Sequence, residues 1–338
     1  MTDLTVVKDL NGGLRGCLEE DPTVYLWGED ILSPYGGAFK VTKGLSDQFP
    51  DRVLTTPISE ASIVGMGVGA ALRGLKPVVE IMFGDFLCLA ADQLVNHAAK
   101  FAGMYNGQVR VPLVVRTPMG GGRGYGPTHS QSLEKHVLGV PGLRVVAPSH
   151  FSASGELLKR AVLEDPMPVV FVEHKLLYPM TVRTAGTERL SVSLVEVPGT
   201  VYPTTRVTNY PPGARPDVTL LSYGGTARPL ESALEHLHAE EIWVDTYLPV
   251  DLSRLSFEAI EQSCRATGRL LIVEEGAGGF GYGAGAAASI AQNLCGNITL
   301  QIRTLTSAES VIPCEKGMES DMLVSTTDIV DHVLNLLS

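Results

Sequence analysis

The chain has 338 residues, 44% of them hydrophobic and 19% charged, with a formal net charge of -11. A chain of that length divides into two domains at roughly 100–200 residues each, and the acidic balance excludes the basic footprint of a nucleic-acid binder. The surplus of apolar over charged residues favours an oligomer. Five cysteines, Cys17, Cys88, Cys264, Cys295 and Cys314, are odd in number and lack metal or disulfide spacing, which points to reduced thiols in a cytoplasmic protein. Met1-Thr2-Asp3-Leu4-Thr5 lacks a basic start followed by an apolar stretch, so no signal peptide is expected. No apolar run reaches the ~18 residues of a membrane span.

In chain order, Asn11 to Glu20 predicts a short helix and Thr23 to Trp27 a buried strand ending at Gly28-Glu29-Asp30. A Gly-rich loop leads to a helix over Lys40 to Phe49 and a strand over Arg52 to Thr56. Pro57 then keeps the backbone before it extended, Ser59 stands at a cap position, and Ala61 to Leu72 is an almost wholly apolar helix with Gly65 and Gly69 four apart. A strand at Val78 to Met82, a long helix from Phe86 to Phe101, strands at Val111 to Arg116 and Leu143 to Ala147, a helix at Ser152 to Leu163 and a strand at Val169 to Val172 complete the first half. Such alternation predicts α/β architecture, a largely parallel sheet covered by helices on both faces.

The segment rich in Thr, Pro, Gly and Tyr after Tyr178 predicts a first domain over 1–190, a linker over 191–216 and a smaller α/β domain over 217–338. In that second domain the pattern gives strands at Asp217 to Ser222, Ile242 to Asp245 and Leu270 to Val273. It gives helices at Ala227 to Ala239, Phe257 to Ala266 and Asp328 to Leu337.

Glu60 is the leading candidate for chemistry, a lone carboxylate where a strand turns into a helix built to be buried. Burial would raise its pKa and the helix N-terminus would lower it. Gly120 to His129, a long Gly-rich loop after a strand, has the composition of a functional loop, but Pro127 and His129 prevent it from leading into a helix as a phosphate cradle would. Gly276-Ala277-Gly278-Gly279-Phe280-Gly281 fits the dinucleotide pattern between strand and helix. The acidic residue expected ~20 positions later is missing, Asn297 being the nearest polar candidate, so a nicotinamide oxidoreductase is the weakest reading.

Tyr35 to Leu45, Thr55 to Ser62, Lys76 to Phe86 and His129-Ser130-Gln131-Ser132 together resemble the beta subunit of thiamin-diphosphate-dependent 2-oxo acid dehydrogenases, which have the transketolase-like fold. The resemblance is dense from Gly28 to Glu173. It implies that Glu60 hydrogen-bonds the cofactor's pyrimidine nitrogen and favours the imino tautomer. Ile58, Met82 and Phe86 would then line the pyrimidine, and His129 would act near the substrate and an incoming lipoyl group. A 2-oxo acid would be decarboxylated and its acyl fragment passed to the lipoyl arm of an acyltransferase.

The family holds magnesium and the diphosphate with Gly-Asp-Gly, which this chain lacks; Gly84-Asp85-Phe86 is not that motif. The resemblance therefore implies an alpha subunit that supplies them, in a heterotetramer of two alpha and two beta chains. It also implies a potassium-like ion among the backbone carbonyls of Leu113, Val162, Asp165 and Met167. The chain departs from the family where Met82 replaces a frequent polar residue, at the shortened Asp245 to Pro249 segment, and at Val311 to Lys316. An acetoin-type dehydrogenase beta subunit and a non-catalytic assembly subunit remain as alternatives.

Overall fold

The computed structural model describes residues 4–296 and 298–338; Met1 to Asp3 and Asn297 lie outside the described residues. The first sheet holds six parallel strands in the order β2-β1-β3-β4-β6-β5. They are β1 (Val24–Gly28), β2 (Val53–Thr55), β3 (Lys76–Glu80), β4 (Val114–Met119), β5 (Arg144–Val146) and β6 (Val169–His174). Continuous Val-rich runs suit strands covered on both faces, and β4, β5 and β6 are buried at every position. Helices α1 (Val6–Glu20) and α5 (Ser154–Leu163) cover one face, where Gly13 and Gly155 let the two backbones approach closer than a side chain would allow. Helix α3 (Glu60–Leu72) lies on the other.

The second sheet has the order β12-β11-β9-β10-β8-β7. Strands β9 (Val218–Leu221), β10 (Val244–Pro249), β11 (Arg269–Ala277) and β12 (Gln301–Ser307) are parallel; β7 (Ser191–Val195) and β8 (Thr204–Thr208) are antiparallel additions on the β10 side. Helices α6 (Ala227–Ala239) and α10 (Thr326–Leu337) pack on one face, α7 (Glu258–Thr267) and α8 (Tyr282–Leu294) on the other. No helix is long and apolar enough to cross a membrane among the described residues.

Three local expectations change. The segment expected as a linker over 191–216 carries β7 and β8, whose residues 204–208 pair with β10 in register. β7 is the edge strand and β8 lies between it and β10; both are five residues long and are masked in the sequence by the prolines around them. The expected helix over Lys40 to Phe49 is reduced to α2 (Leu45–Gln48), because Lys40 and Gly44 adopt left-handed backbone and the Thr42 hydroxyl donates to the Ile31 carbonyl instead. The long helix from Phe86 to Phe101 is broken into a 3-10 segment Gly84–Ala90, a π-helical segment Gln93–Ala98 and α4 (Phe101–Met104). A Cβ at Gly84 would stand 2.2 Å from Met119, so tight docking on β4 fixes the first turn. Such π segments cluster at functional sites.

The two domains share an apolar core that runs from Val79 and Leu113 through Tyr223 to Ile290. After β10 the chain lies along β5, with Ala147 donating to the Val250 carbonyl and Leu252 to Val145. Arg144, nearly buried, pairs with Asp165 and with Asp251 across that seam.

Candidate active site

At the carboxyl end of the first sheet the chain passes from β2 through Pro57 into α3, with Glu60 in its first turn and 6% exposed. Ser59 holds the cap position without bonding the helix amides; its hydroxyl donates to the Ser62 hydroxyl at 3.0 Å. Glu29, just past β1 and 5% exposed, faces the same region, and its Oε1 has no partner among the described residues. Burial, then the charges of Glu60, Asp30 and Glu80, push its carboxyl up to about 7. Deeper in the sheet, Arg116 is fully paired: it donates to Glu173 at 2.7 and 2.8 Å and to Glu80 at 2.7 Å, while the Tyr178 hydroxyl donates to Glu173. That cluster ties β3, β4 and β6 together inside the sheet.

Met82 and Phe86 are half-buried on the segment after β3, which packs against α3. The structure gathers an aromatic group there. The His129 ring meets Phe83 edge-on at 4.7 Å and Phe86 at 5.3 Å, and Phe83 also touches Phe39 and Tyr125. His129 Nδ1 lies 3.0 Å from the Thr128 hydroxyl. His129 and Phe86 thus meet across the sequence, while Glu60 and Met82 share with them only a place beyond the carboxyl ends of β1–β4. Ile58 differs, being 80% exposed on the turn before α3.

A planar aminopyrimidine fits these residues. The unpartnered oxygen of Glu29 and the buried Glu60 are the polar atoms such an edge would need, and half-buried aromatic rings are the face it would need, since ring edges pack favourably on π faces. No group of three or more His, Cys, Asp or Glu side chains arranged to hold a metal occurs among the described residues. Leu113, Val162, Asp165 and Met167 surround the turn between α5 and β6. There the Leu113 carbonyl accepts from the Val169 amide, and Asp165 spends its side chain on Arg144 and the Met167 amide.

The Gly276 to Gly281 stretch runs from the end of β11 to α8, as the dinucleotide pattern requires, yet its anion position is filled by the protein itself. Glu274 accepts from the Gly283 amide at 3.1 Å and from the Tyr223 hydroxyl at 3.3 Å. A Cβ at Gly281 would stand 2.5 Å from both Glu274 oxygens, so these glycines admit an internal carboxylate where a pyrophosphate would sit. The nicotinamide reading therefore has no structural basis.

Sequence reasoning passed over Glu29, Phe83, Lys175, Glu275 and Glu319. Glu29 left a signal, as an acid directly after a buried strand. Lys175 left one too, as a charge at the end of the apolar run of β6. Glu275 and Glu319 left none, because their partners are loop amides 154 and 195 residues away.

Residues 3–181 match the family profile described as transketolase, pyrimidine binding domain, and residues 212–329 the one described as transketolase, C-terminal domain. The chain is 36% identical to pyruvate dehydrogenase E1 component subunit beta-1, mitochondrial, of Oryza sativa subsp. japonica, over 97% of this chain and 85% of that relative. It is also 36% identical to pyruvate dehydrogenase E1 component subunit beta of Porphyra purpurea, over 95% of this chain and 93% of the relative. Among solved structures, a split-gene transketolase in an inactive beta4 tetramer superposes with a TM-score of 0.69 at 18% identity, over 98% of this chain and 97% of the other, a likeness of fold. Carrying both transketolase domains and matched along nearly its whole length to these beta subunits, the chain belongs to the beta subunits of thiamin-diphosphate-dependent 2-oxo acid dehydrogenases.

Proposed function

We propose that this chain forms the pyrimidine half of a composite active site that decarboxylates a 2-oxo acid and passes the acyl fragment to a lipoyl group. The observation that carries the reading is the pair of buried carboxylates, Glu60 and Glu29, which follow β2 and β1 at the same end of the sheet from which β3 and β4 send out the aromatic group of Phe83, Phe86 and His129. When bound, thiamin diphosphate supplies the electron sink. Glu60 hydrogen-bonds the ring nitrogen and shares with it the proton that selects the reactive tautomer. Phe86 and Met82 orient the ring and keep water from one face, with Ile58 joining them once its exposed side chain is covered. His129 moves a proton during acyl transfer, a role typically worth 10²- to 10⁴-fold.

An alpha subunit supplies magnesium and the donors for the diphosphate, because this chain contains no Gly-Asp-Gly. Exposed Ile58, Met66 and Leu72, with the open Gly69 face of α3, support a large interface and a heterotetramer of two alpha and two beta chains. A lipoyl-bearing acyltransferase is the acceptor in this reading. A monovalent cation such as potassium belongs at the carbonyls of Leu113, Val162, Asp165 and Met167, and the free cysteines favour a cytoplasmic setting.

Mixing the purified chain with its candidate alpha subunit and a panel of 2-oxo acids tests the reading. Decarboxylation that requires both chains is expected, and its absence with every acid would refute it. Calorimetric titration of the alpha-free chain with thiamin diphosphate and magnesium is expected to show only weak binding; tight stoichiometric binding would overturn the split site.

A further inference from the structure

The loop from Gly120 to Gln131, which presents His129, is held by charged side chains at four points. Glu275 of β11 accepts from the Gly121 amide and from the Ser132 hydroxyl, both at 2.9 Å, so one carboxylate of the second domain ties the two ends together. Against burial, which raises its pKa, the His174 ring and these donors hold the Glu275 carboxyl down to about 2. Glu319, fully buried on α9 (Lys316–Met322), accepts from the Gly124 amide. Asp85 accepts from the Gln131 amide and side chain. The fourth point is cationic: Lys175 donates from Nζ to the His129 carbonyl at 2.7 Å, and its ammonium stands 5.6 Å from the centre of the Phe83 ring that packs on the His129 imidazole.

Lys175 is 0% exposed. A buried ammonium with one carbonyl acceptor is an expensive way to hold a fold, since lysine is almost never fully buried without a paired charge. Asp85, Glu275 and Glu319 favour its charge through space, whereas burial and Arg123, which donates to the Lys175 carbonyl, oppose it. The geometry also uses both ends of the lysine's neighbourhood, because the same residue touches the backbone of His129 and the aromatic ring that orients its side chain.

We propose that Lys175 is a positioning residue for His129, a charged post that sets the loop 120–131 against the carboxylates of the second domain. This rests on the role of His129 given above. Burial holds the Lys175 ammonium down to about 8. A lysine whose folded pKa lies below its unfolded 10.5 binds fewer protons folded than unfolded between those values, so folding stability rises with pH there. Its charge therefore costs stability below pH 8, while the positioning it provides is lost as pH rises through about 8.

The test compares wild type, Lys175→Met and Lys175→Arg in the assembled enzyme, with hydrogen–deuterium exchange on the purified full chain alongside. Lys175→Met is expected to be no less stable than wild type, to exchange faster over residues 120–131, and to lose acyl transfer by about 10²-fold, as for a displaced catalytic group. Exchange at the thiazolium carbon should fall much less, and Lys175→Arg should recover part of the transfer. In wild type, transfer should decline through pH 8 while decarboxylation does not. Native loop protection and native transfer in Lys175→Met would overturn the proposal. If that variant does not fold, a flat wild-type transfer profile through pH 8 would do so. Absence of decarboxylation in wild type refutes the enzyme reading instead, and loop exchange still decides whether Lys175 positions the loop.

Discussion

Two helices in this molecule begin beside a buried carboxylate after a parallel strand, and they use it in opposite ways. At α8 the carboxylate is Glu274, donated by the strand before it and engaged by the Gly283 amide and the Tyr223 hydroxyl; burial raises its pKa. At α3 it is Glu60 in the first turn, with Glu29 nearby keeping an oxygen unpartnered and its carboxyl pushed up to about 7. The Glu274 carboxylate closes a helix end, whereas near α3 the Glu29 oxygen stays without a partner, a condition that costs roughly 1–3 kcal/mol for a buried polar atom. The glycine fingerprint marks the first kind and the Pro57 turn the second.

The sharpest way to break the comparison is Glu60→Gln. The amide is close in size and can hydrogen-bond, but it cannot exchange a proton with the ring nitrogen and so cannot shift the conjugated amino group toward its imino form. Thiazolium-carbon exchange in the assembled enzyme is expected to fall toward the upper end of the 10²- to 10⁴-fold range, with folding nearly intact. Wild-type exchange in the variant would remove Glu60 from the mechanism. His129→Ala should reduce acyl transfer by about 10²-fold and leave cofactor affinity nearly unchanged. Unchanged turnover with a lipoyl acceptor would mean that its aromatic neighbours hold it for packing alone.

The next effect is on stability. Glu29 binds a proton more readily folded than unfolded, so stability contributed by this group is lost as pH rises from about 4.5 to about 7. Glu29→Gln should therefore flatten the pH dependence of chemical denaturation in that window and stabilise the alpha-free chain above it by roughly 2 kcal/mol. An unaltered slope would mean that the Glu29 carboxyl is solvated in solution. Gly281→Ala should have the smallest effect, about 1 kcal/mol of destabilisation from crowding Glu274, with no change in thiazolium exchange. A gain of stability there would show that Glu274 is not the group closing α8.

Legibility in the sequence followed the range of the interactions. The helix at Ala227 to Ala239 and the strands at Val169 and Val218 stood out because a repeating apolar pattern is a local property of the chain. Glu60 stood out because a proline turn and an apolar helix frame it within a dozen residues. The helix over Phe86 to Phe101 differs from expectation in its winding: its first turn is set by the close approach of Gly84 to Met119 of β4, a contact that no residue from Phe86 onward records.

The sequence by itself determined the two α/β domains, the carboxylate at the head of α3, the His129 loop and the absence of Gly-Asp-Gly, since each is written in contiguous residues. Only the tertiary structure decided that β7 and β8 within residues 191–216 join the second sheet, that Glu274 fills the glycine turn, and that Glu275, Glu319 and Lys175 hold the loop that carries His129. Those contacts join residues far apart along the chain. A side chain that bonds one backbone amide at such a separation imposes no period, composition or spacing on its own neighbourhood, so folding alone brings it into view.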